Sequence, residues 1–231
     1  MKGKKYIIVG LGNLGSSLAL KLTNAGNEVF GVDSSLSKVE AIEDKITSAA
    51  MLDCTDFNAI KSSLPYKDTD CVIVAIGEDI GASILVNATF KQLNVKRLMS
   101  RVISDTHQRV LEAIGITEFV HPEEDTANRL TEMLSLTGAM DVYSLFDKHK
   151  VVEIKLPERY YGKKVIETDI RQKYHLNVLT IIKKVQHKTL LGKIKEKQEV
   201  LDYVTPDTIL EVGDIIVVFG RSSDLKNFVN D

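Results

Sequence analysis

The chain has few cysteines, no long apolar run and no concentration of positive charge. Its two cysteines, Cys54 and Cys71, show no metal-ligand spacing, and we interpret both as reduced core residues of a cytosolic protein. No segment approaches the roughly 18 apolar residues that a membrane-spanning helix needs, and the first apolar run is too short for a signal peptide. The net charge of −2, without a long basic block, gives no support to a nucleic-acid role.

The sequence also lacks a recognisable catalytic constellation. An enzyme needs a placed acid or base, yet no histidine stands beside an obvious base or metal partner in sequence, and no nucleophilic serine motif occurs. These absences favour a ligand sensor over an enzyme. The five histidines are His107, His121, His149, His175 and His187.

A glycine motif near the start is the strongest positive signal. Tyr6–Val9 is a short apolar run typical of a buried strand, and it leads into Gly10-x-Gly12-x-x-Gly15, followed by leucines at helical spacing. Gly10 permits the tight turn, Gly12 lets a pyrophosphate approach the backbone, and Gly15 allows close packing of helix on strand. The free N–H groups of the helix start then face the phosphates. The motif predicts a nucleotide-binding turn.

An acidic residue completes this motif. Glu28–Val32 predicts the second strand, and Asp33 follows it, 18 residues after Gly15. At this spacing a carboxylate accepts hydrogen bonds from a ribose 2′-OH, and its charge disfavours a 2′-phosphorylated cofactor.

The first 136 residues alternate strand and helix six times, which predicts a Rossmann-like, doubly wound parallel sheet of the α/β class. The continuous apolar run at 71–77 predicts a central strand beside the first one, so that Ala75, Ile76 and Gly77 face the nucleotide. The predicted strands are 6–9, 28–32, 48–52, 71–77, 97–102 and 117–120, and the predicted helices are 16–22, 36–46, 57–64, 79–93, 105–114 and 124–136.

The pattern changes after Thr137–Gly138, where we place a boundary between residues 1–137 and a small α+β domain of residues 138–231. One helix is predicted near Val165–Lys173, and Lys193–Lys197 is interpreted as a solvated hairpin tip. The predicted strands are 142–146, 151–156, 177–183, 190–195 and 214–220.

Over nearly its whole length the chain resembles the RCK (KTN) family, the cytosolic regulatory subunits of Trk/Ktr-type bacterial potassium transporters. The combination of segments is specific, although single pieces are not. The segments that carry the resemblance are GLGNLG (10–15), Asp33, DCTD (53–56), VIVAIG (72–77), SRV (100–102), VLEAIG (110–115), HPEEDTANRL (121–130) and EVGDIIVVFG (211–220).

The resemblance implies a nucleotide (ATP, ADP, NAD⁺ or NADH) at the glycine turn, with Leu14 among the turn residues. It implies that Asp53 and Cys54 line the adenine side, that Arg101 approaches the phosphates, and that Glu123 meets Mg²⁺ or another cation near them. It further implies dimers within an octameric ring that docks on a membrane potassium channel, with a cytoplasmic location at the inner face of the membrane. Ring geometry would follow the bound nucleotide, and the gate would follow the ring.

One position departs from the family. The Ktr branch often has an arginine at the fourth position of the glycine motif, where this chain has Asn13. A charge-assisted hydrogen bond to phosphate is worth about 1.5–3 kcal/mol, so its loss weakens ATP-over-ADP discrimination or favours a Trk-like NAD⁺/NADH response. The sequence leaves both open.

Some relatives bind cyclic di-AMP in the second lobe. An apolar pair there could pack on adenine and an arginine could pair with phosphate, although a helix packing its apolar face is the alternative. The matching residues are Val165, Ile166, Asp169, Ile170, Arg171 and Asn177.

The sequence thus predicts a nucleotide-gated regulatory subunit for potassium uptake, which is not an enzyme. The alternative is a soluble NAD-dependent oxidoreductase with an atypical second domain.

Overall fold

The computed structural model describes residues 3–146, 148–188 and 194–231. The chain forms two compact units, one ending at Glu123 and the other beginning at Glu124. The contacts therefore divide the chain earlier than the boundary predicted at residues 137/138. The reason is that the helix after Pro122 packs with the second unit, where Met133 lies against the core and Arg129 pairs with Asp141.

The first unit is a six-stranded parallel sheet with strand order β3-β2-β1-β4-β5-β6. This order confirms the predicted doubly wound sheet, in which the order reverses between β1 and β4. The elements are β1 Lys5–Val9, α1 Asn13–Asn24, β2 Glu28–Asp33, α2 Leu36–Glu40, β3 Ser48–Met51, α3 Phe57–Ser63, β4 Cys71–Val74, α4 Ile80–Gln92, β5 Leu98–Arg101, α5 Asp105–Ala113 and β6 Glu118–Val120.

Helices cover both faces of this sheet, as the alternation of side chains along β1 shows. Ile7 and Val9 belong to one buried cluster, whereas Ile8 between them belongs to another. Successive strand side chains point to opposite faces, so both faces of β1 are buried. The prediction that the apolar run at 71–77 forms a central strand is confirmed, because all four residues of β4 are buried and β4 lies between β1 and β5.

The predicted helix 36–46 is shorter in the structure. Helix α2 ends at Glu40, and a 3₁₀ turn Glu43–Lys45 follows. Val39, Ile42 and Ile46 are nevertheless all buried in one cluster. Their burial produced the helical periodicity in the sequence, although the backbone changes geometry between them.

The second unit contains an antiparallel sheet of order β10-β9-β11-β8-β7. Leu176, Ile181 and Ile216 are fully buried in its core. The whole chain is therefore mixed α/β, as predicted. The remaining elements are α6 Pro122–Leu134, β7 Ala139–Ser144, β8 His149–Lys155, α7 Ile170–Tyr174, β9 Asn177–Lys188, β10 Ile194–Val200, β11 Ile215–Arg221 and α8 Ser222–Asn230.

Two local predictions in this unit were wrong, and one helix was missed. The predicted helix 165–173 is split at Asp169, whose φ of +55° separates a 3₁₀ turn Val165–Thr168 from α7. The predicted hairpin tip 193–197 was wrong, because residues 194–197 belong to β10 and pair with β9. Of the predicted strand 190–195, residues 194–195 do lie in β10, and residues 190–193 lie outside the described part. Helix α8 was missed, although Leu225 and Phe228 have helical spacing and are buried.

In the described ranges, none of the helices combines the length and apolar character that crossing a bilayer requires.

Candidate functional site

The glycine turn between β1 and α1 has the geometry that the sequence predicted. Gly10 has a φ of +93°, and a Cβ there would lie 3.0 Å from the backbone nitrogen of Ile76. A Cβ on Gly15 would overlap the carbonyl oxygen of Gly10, whereas a Cβ on Gly12 would meet nothing within 4 Å. Gly10 and Gly15 are thus required by packing, while Gly12 borders open space where a ligand can approach.

The start of α1 is open to an anion. Gly12 is its N-cap and supplies no side-chain hydrogen bond, and the first turn, which includes Asn13 and Leu14, has no acidic residue. Ser16 turns its hydroxyl inward and donates to the carbonyl oxygen of Leu11 at 2.6 Å. The positive end of the helix dipole and its uncapped N–H groups are therefore available to a phosphate.

Asp33, at the end of β2, is 8% exposed and has a role within the protein as well. Its Oδ2 accepts a hydrogen bond of 2.7 Å from the N–H of Leu11, and its Oδ1 accepts one of 2.9 Å from the N–H of Ser35. A carboxylate has about four lone-pair sites, so acceptor capacity remains for a ribose hydroxyl. The carboxylate thus both fixes the glycine turn and borders the predicted ribose position.

Lys38 of α2 was missed by the sequence reasoning. Its Nζ lies 3.9 Å from Asp33 Oδ2 and 3.9 Å from Glu78 Oε2. It is a cation beside the predicted ribose position, between the last residue of β2 and the loop after β4. The signal that could have found it is its position in the first helix after the acidic residue.

The carboxyl end of β4 lies beside the turn. The N–H of Ala75 donates to Val9 at 2.7 Å, and Ile76 packs against Gly10. The guanidinium of Arg101 lies directly against Gly77. A Cβ on Gly77 would come 2.6 Å from the guanidinium carbon, so a larger residue would not fit there without a shift. The carboxyl ends of β1 and β4 therefore lie side by side, as the predicted order of the sheet requires.

Arg101 ends β5 and forms an ion pair with Glu123, through a hydrogen bond from its Nη2 to Glu123 Oε1. Its Nε is buried and has no partner within the described residues. The structure thus brings together the residue expected at the phosphates and the residue expected at a cation. It joins them to each other.

Asp53 and Cys54 follow β3 and differ in their surroundings. Asp53 accepts hydrogen bonds from the N–H and hydroxyl of Thr55, at 2.9 and 2.6 Å, and these bonds lower the pKa of its carboxyl. Cys54 is buried, and burial, together with the charges of Asp53 and Asp33, raises the pKa of its thiol to about 12. The Cys54 thiol is therefore neutral and not a nucleophile, and the side chain offers an apolar surface to the predicted adenine position.

The residues expected to bind cyclic di-AMP are only partly accessible. Ile166 is 64% exposed, and Asp169 and Arg171 are exposed, but Ile170 is buried in the core of its own unit and Val165 packs against that core. Asn177 lines a groove of about 460 Å³ that none of the residues 165–171 borders. The groove is lined by His149, His175, Asn177, Phe219, Gly220, Arg221 and Asp224.

The described histidines make no catalytic arrangement. His107 is buried, and neither of its ring nitrogens has a partner among the described residues, while His121 contacts Gln108 at 2.8 Å and His149 stacks on Phe219. In the part of the chain that the structure describes, no three His, Cys, Asp or Glu side chains gather as metal ligands. The arrangement suits binding of an anionic nucleotide at the sheet edge.

Comparison with known proteins agrees with this geometry. Residues 6–122 match the TrkA-N domain family. The chain is 32% identical to the Ktr system potassium uptake protein C of Bacillus subtilis (strain 168), over 97% of this chain and 96% of that protein. It is 29% identical to the Ktr system potassium uptake protein A of the same organism, over 100% of this chain and 98% of that protein.

Solved structures with the same fold include the GsuK RCK domain. It aligns with a TM-score of 0.63 and 15% identity, over 100% of this chain and 47% of that chain. The GsuK channel bound to NAD aligns with a TM-score of 0.62 and 16% identity, over 100% of this chain and 40% of that chain. This chain therefore spans less than half of those solved chains, and the likeness concerns the fold.

Proposed function

Because the chain belongs to the TrkA-N family of potassium uptake proteins, we propose that it is a nucleotide-binding regulatory subunit, and not an enzyme, for a potassium transporter in the membrane. The observation that carries this proposal is the open start of α1 beside Gly12, with Asp33 at the end of the neighbouring strand. The full-length similarity to Ktr system proteins supports the potassium-uptake role.

The ligand of the glycine turn is an adenine nucleotide or dinucleotide. Its phosphates lie at the start of α1, its ribose at Asp33 and its adenine toward Cys54. The dinucleotide form draws support from the GsuK channel, which has the same fold and has been solved with NAD. Asp33 disfavours a ribose 2′-phosphate, so NAD⁺ is preferred over NADP⁺.

Assembly and gating complete the proposal. The subunits pair and form a ring, which we expect to be octameric, on the cytoplasmic face of an integral-membrane potassium channel of the Trk/Ktr type. The bound nucleotide selects one ring geometry by its higher affinity for that state, and the channel gate follows.

Two further ligands belong to the proposal. Glu123 offers one carboxylate, and no cluster of three ligands forms among the described residues, so Mg²⁺ or another cation would need phosphate oxygens as additional ligands. Cyclic di-AMP would use the exposed Ile166, Asp169 and Arg171 of the second unit, and would meet Asn177 in the separate groove that this residue lines. Ile170 is buried, so it could support the neighbouring residues from the core but could not contact the ligand itself.

Calorimetric titration of the purified chain with ATP, ADP, NAD⁺, NADH, NADP⁺ and cyclic di-AMP, with and without Mg²⁺, tests the binding proposal. We expect micromolar binding of at least one adenine nucleotide and weaker binding of NADP⁺ than of NAD⁺. Mass photometry with and without the best ligand tests the ring. Absence of binding by every nucleotide would refute the regulatory mechanism, whatever the oligomeric state.

The oxidoreductase hypothesis has a distinct test. A dehydrogenase should reduce NAD⁺ with a hydroxy-acid or alcohol substrate and bind NAD⁺ more tightly than ADP. Binding of ADP as tightly as NAD⁺ would exclude that alternative, since the adenylate half would then account for the affinity.

A further inference from the structure

The guanidinium expected to meet phosphates already has an anionic partner. Arg101 is 21% exposed, and its Nη2 donates to Oε1 of Glu123, which is 67% exposed. The two residues are 22 positions apart, at the end of β5 and in the first turn of α6. This pairing is a tertiary contact between two elements and not a local helix contact.

The pair lies at the edge of the sheet where the nucleotide approaches. The guanidinium covers Gly77, and Gly77 follows Ile76, which packs on Gly10 of the turn. Strands β1, β4 and β5 are neighbours, so their carboxyl ends form one continuous edge.

A carboxylate and a phosphate compete for the same donors. The planar guanidinium binds either group through its N–H fork with the same geometry. The Nε of Arg101 is buried without a partner within the described residues, so the fork is only partly used. Nη2 carries two N–H groups and Glu123 uses one of them, so a phosphate that engages Arg101 there meets the negative charge of Glu123 on the same nitrogen and competes with it.

Two described positions near the turn show why another cation does not take the place of Arg101. The fourth position of the glycine motif is the neutral Asn13, and Lys38 lies beside the predicted ribose position with Asp33 and Glu78. Among the described side chains, Arg101 is therefore the cation that we expect to add to the phosphate contacts of the α1 N–H groups.

We propose that Glu123 is a built-in competitor for the phosphate subsite: its carboxylate holds Arg101 in the unliganded subunit and lowers the affinity for phosphate-bearing ligands. This inference rests on the proposed function, because it requires a nucleotide at the glycine turn. Glu123 acts on specificity, since a nucleoside without phosphate does not compete with it and a ligand with more phosphate charge displaces it more readily.

The test is a calorimetric series of adenosine, AMP and ADP in EDTA at constant ionic strength, so that no divalent cation contributes. Glu123→Gln keeps the size of the side chain and removes the charge. We expect ADP to bind about three- to fivefold more tightly to this variant, the range that an exposed ion pair supports. Adenosine affinity should be unchanged.

Glu124→Gln is the matched control, because it removes one negative charge at the next position without touching Arg101. It should leave the affinity for ADP nearly unchanged. In an Arg101→Gln background, Glu123→Gln should have no further effect on ADP binding. Thermal unfolding of each variant without ligand verifies the fold. If Arg101→Gln does not fold, the affinities of wild type and Glu123→Gln for adenosine and for ADP still test the proposal.

Each outcome separates this inference from the proposed function. If wild-type chain binds ADP and Glu123→Gln binds it equally or more weakly, the competition is refuted and the nucleotide site stands. If Glu124→Gln tightens ADP binding as much as Glu123→Gln, the effect is general electrostatics and the inference is refuted. If neither wild type nor Glu123→Gln binds ADP, both the inference and the assignment of ADP to the site fail.

Discussion

The carboxylate of Asp33 accepts a hydrogen bond of 2.7 Å from the backbone N–H of Leu11, which ties the end of β2 to the glycine turn after β1. The same carboxylate accepts from Ser35. A residue predicted from ligand chemistry is therefore also part of the scaffold. Substitutions of Asp33 will therefore change both the free energy of unfolding and the nucleotide affinity, so each variant needs a measurement of stability without ligand.

Asp33→Ala should lower the free energy of unfolding by about 1–3 kcal/mol in the absence of ligand, because buried backbone N–H groups lose their acceptor. Asp33→Asn keeps one acceptor oxygen and should lose less. Urea denaturation without nucleotide measures this difference. An Asp33→Ala chain as stable as wild type would contradict the structural role.

Gly12→Ala and Gly15→Ala form a matched pair. An alanine Cβ at position 12 meets no atom within 4 Å, so the variant should stay within about 0.5 kcal/mol of wild type in stability but bind nucleotide more weakly. At position 15 the Cβ overlaps Gly10, so the variant should lose about 1–3 kcal/mol of stability.

Denaturation and calorimetric titration separate these effects. Equal loss of stability in both variants would contradict the geometry of the turn. Undiminished nucleotide affinity in Gly12→Ala would place the phosphates elsewhere.

His107 should make stability depend on pH. Burial lowers the pKa of this imidazole in the folded chain below its ordinary value of 6.5. The unfolded chain then binds more protons as the pH falls through 6.5, so the free energy of unfolding should decrease below that pH and be fully retained above it. Denaturant unfolding between pH 5 and 8 measures the slope.

His107→Leu provides the comparison for this pH effect. It removes the titrating group from a buried position where both ring nitrogens lack a partner among the described residues. The variant should show a flatter dependence on pH between 5 and 7. An unchanged slope would assign the dependence to other groups.

The two thiols should be unreactive in the folded chain. Burial raises the pKa of Cys71 to about 11 and that of Cys54 to about 12, and both cysteines are free. The thiolate is the reactive form, so a disulfide reagent at pH 8 should label neither residue until denaturant is added. Rapid labelling of Cys54 in the native chain would show that its buried site near Asp53 opens, and rapid labelling of Cys71 would show the same for the site of Cys71.

The fold of the first unit could be predicted largely from local patterns. Alternating apolar strands and amphipathic helices set the sheet, and Gly10, Gly12 and Gly15 set the turn, because backbone conformation and side-chain period are local properties. The helix caps at Asp56 and Asp79 are local as well, and each accepts from an N–H in the turn that it precedes. The predicted element boundaries there differ by only a few residues, except in α2.

Less of the second unit followed from the sequence. The left-handed conformation of Asp169 interrupts a run that has helical periodicity, and nothing in the residue type requires it. The start of β10 depends on its pairing with β9, which aligns Ile194 with Lys188. Strand pairing joins residues through the sheet, so the charged composition of 193–197 alone misled the prediction.

The sequence by itself determined the parallel sheet, the glycine turn and the acidic residue at the end of β2, since each depends on spacing within a short segment. The tertiary structure decided which charges meet. It paired Arg101 with Glu123, placed Lys38 Nζ within ion-pair distance of the Asp33 carboxylate, and grouped most of α6 with the second unit. The order of the strands follows from the alternation of strands and helices, but which side chains pair at the edge of the sheet depends on how they pack in the folded chain.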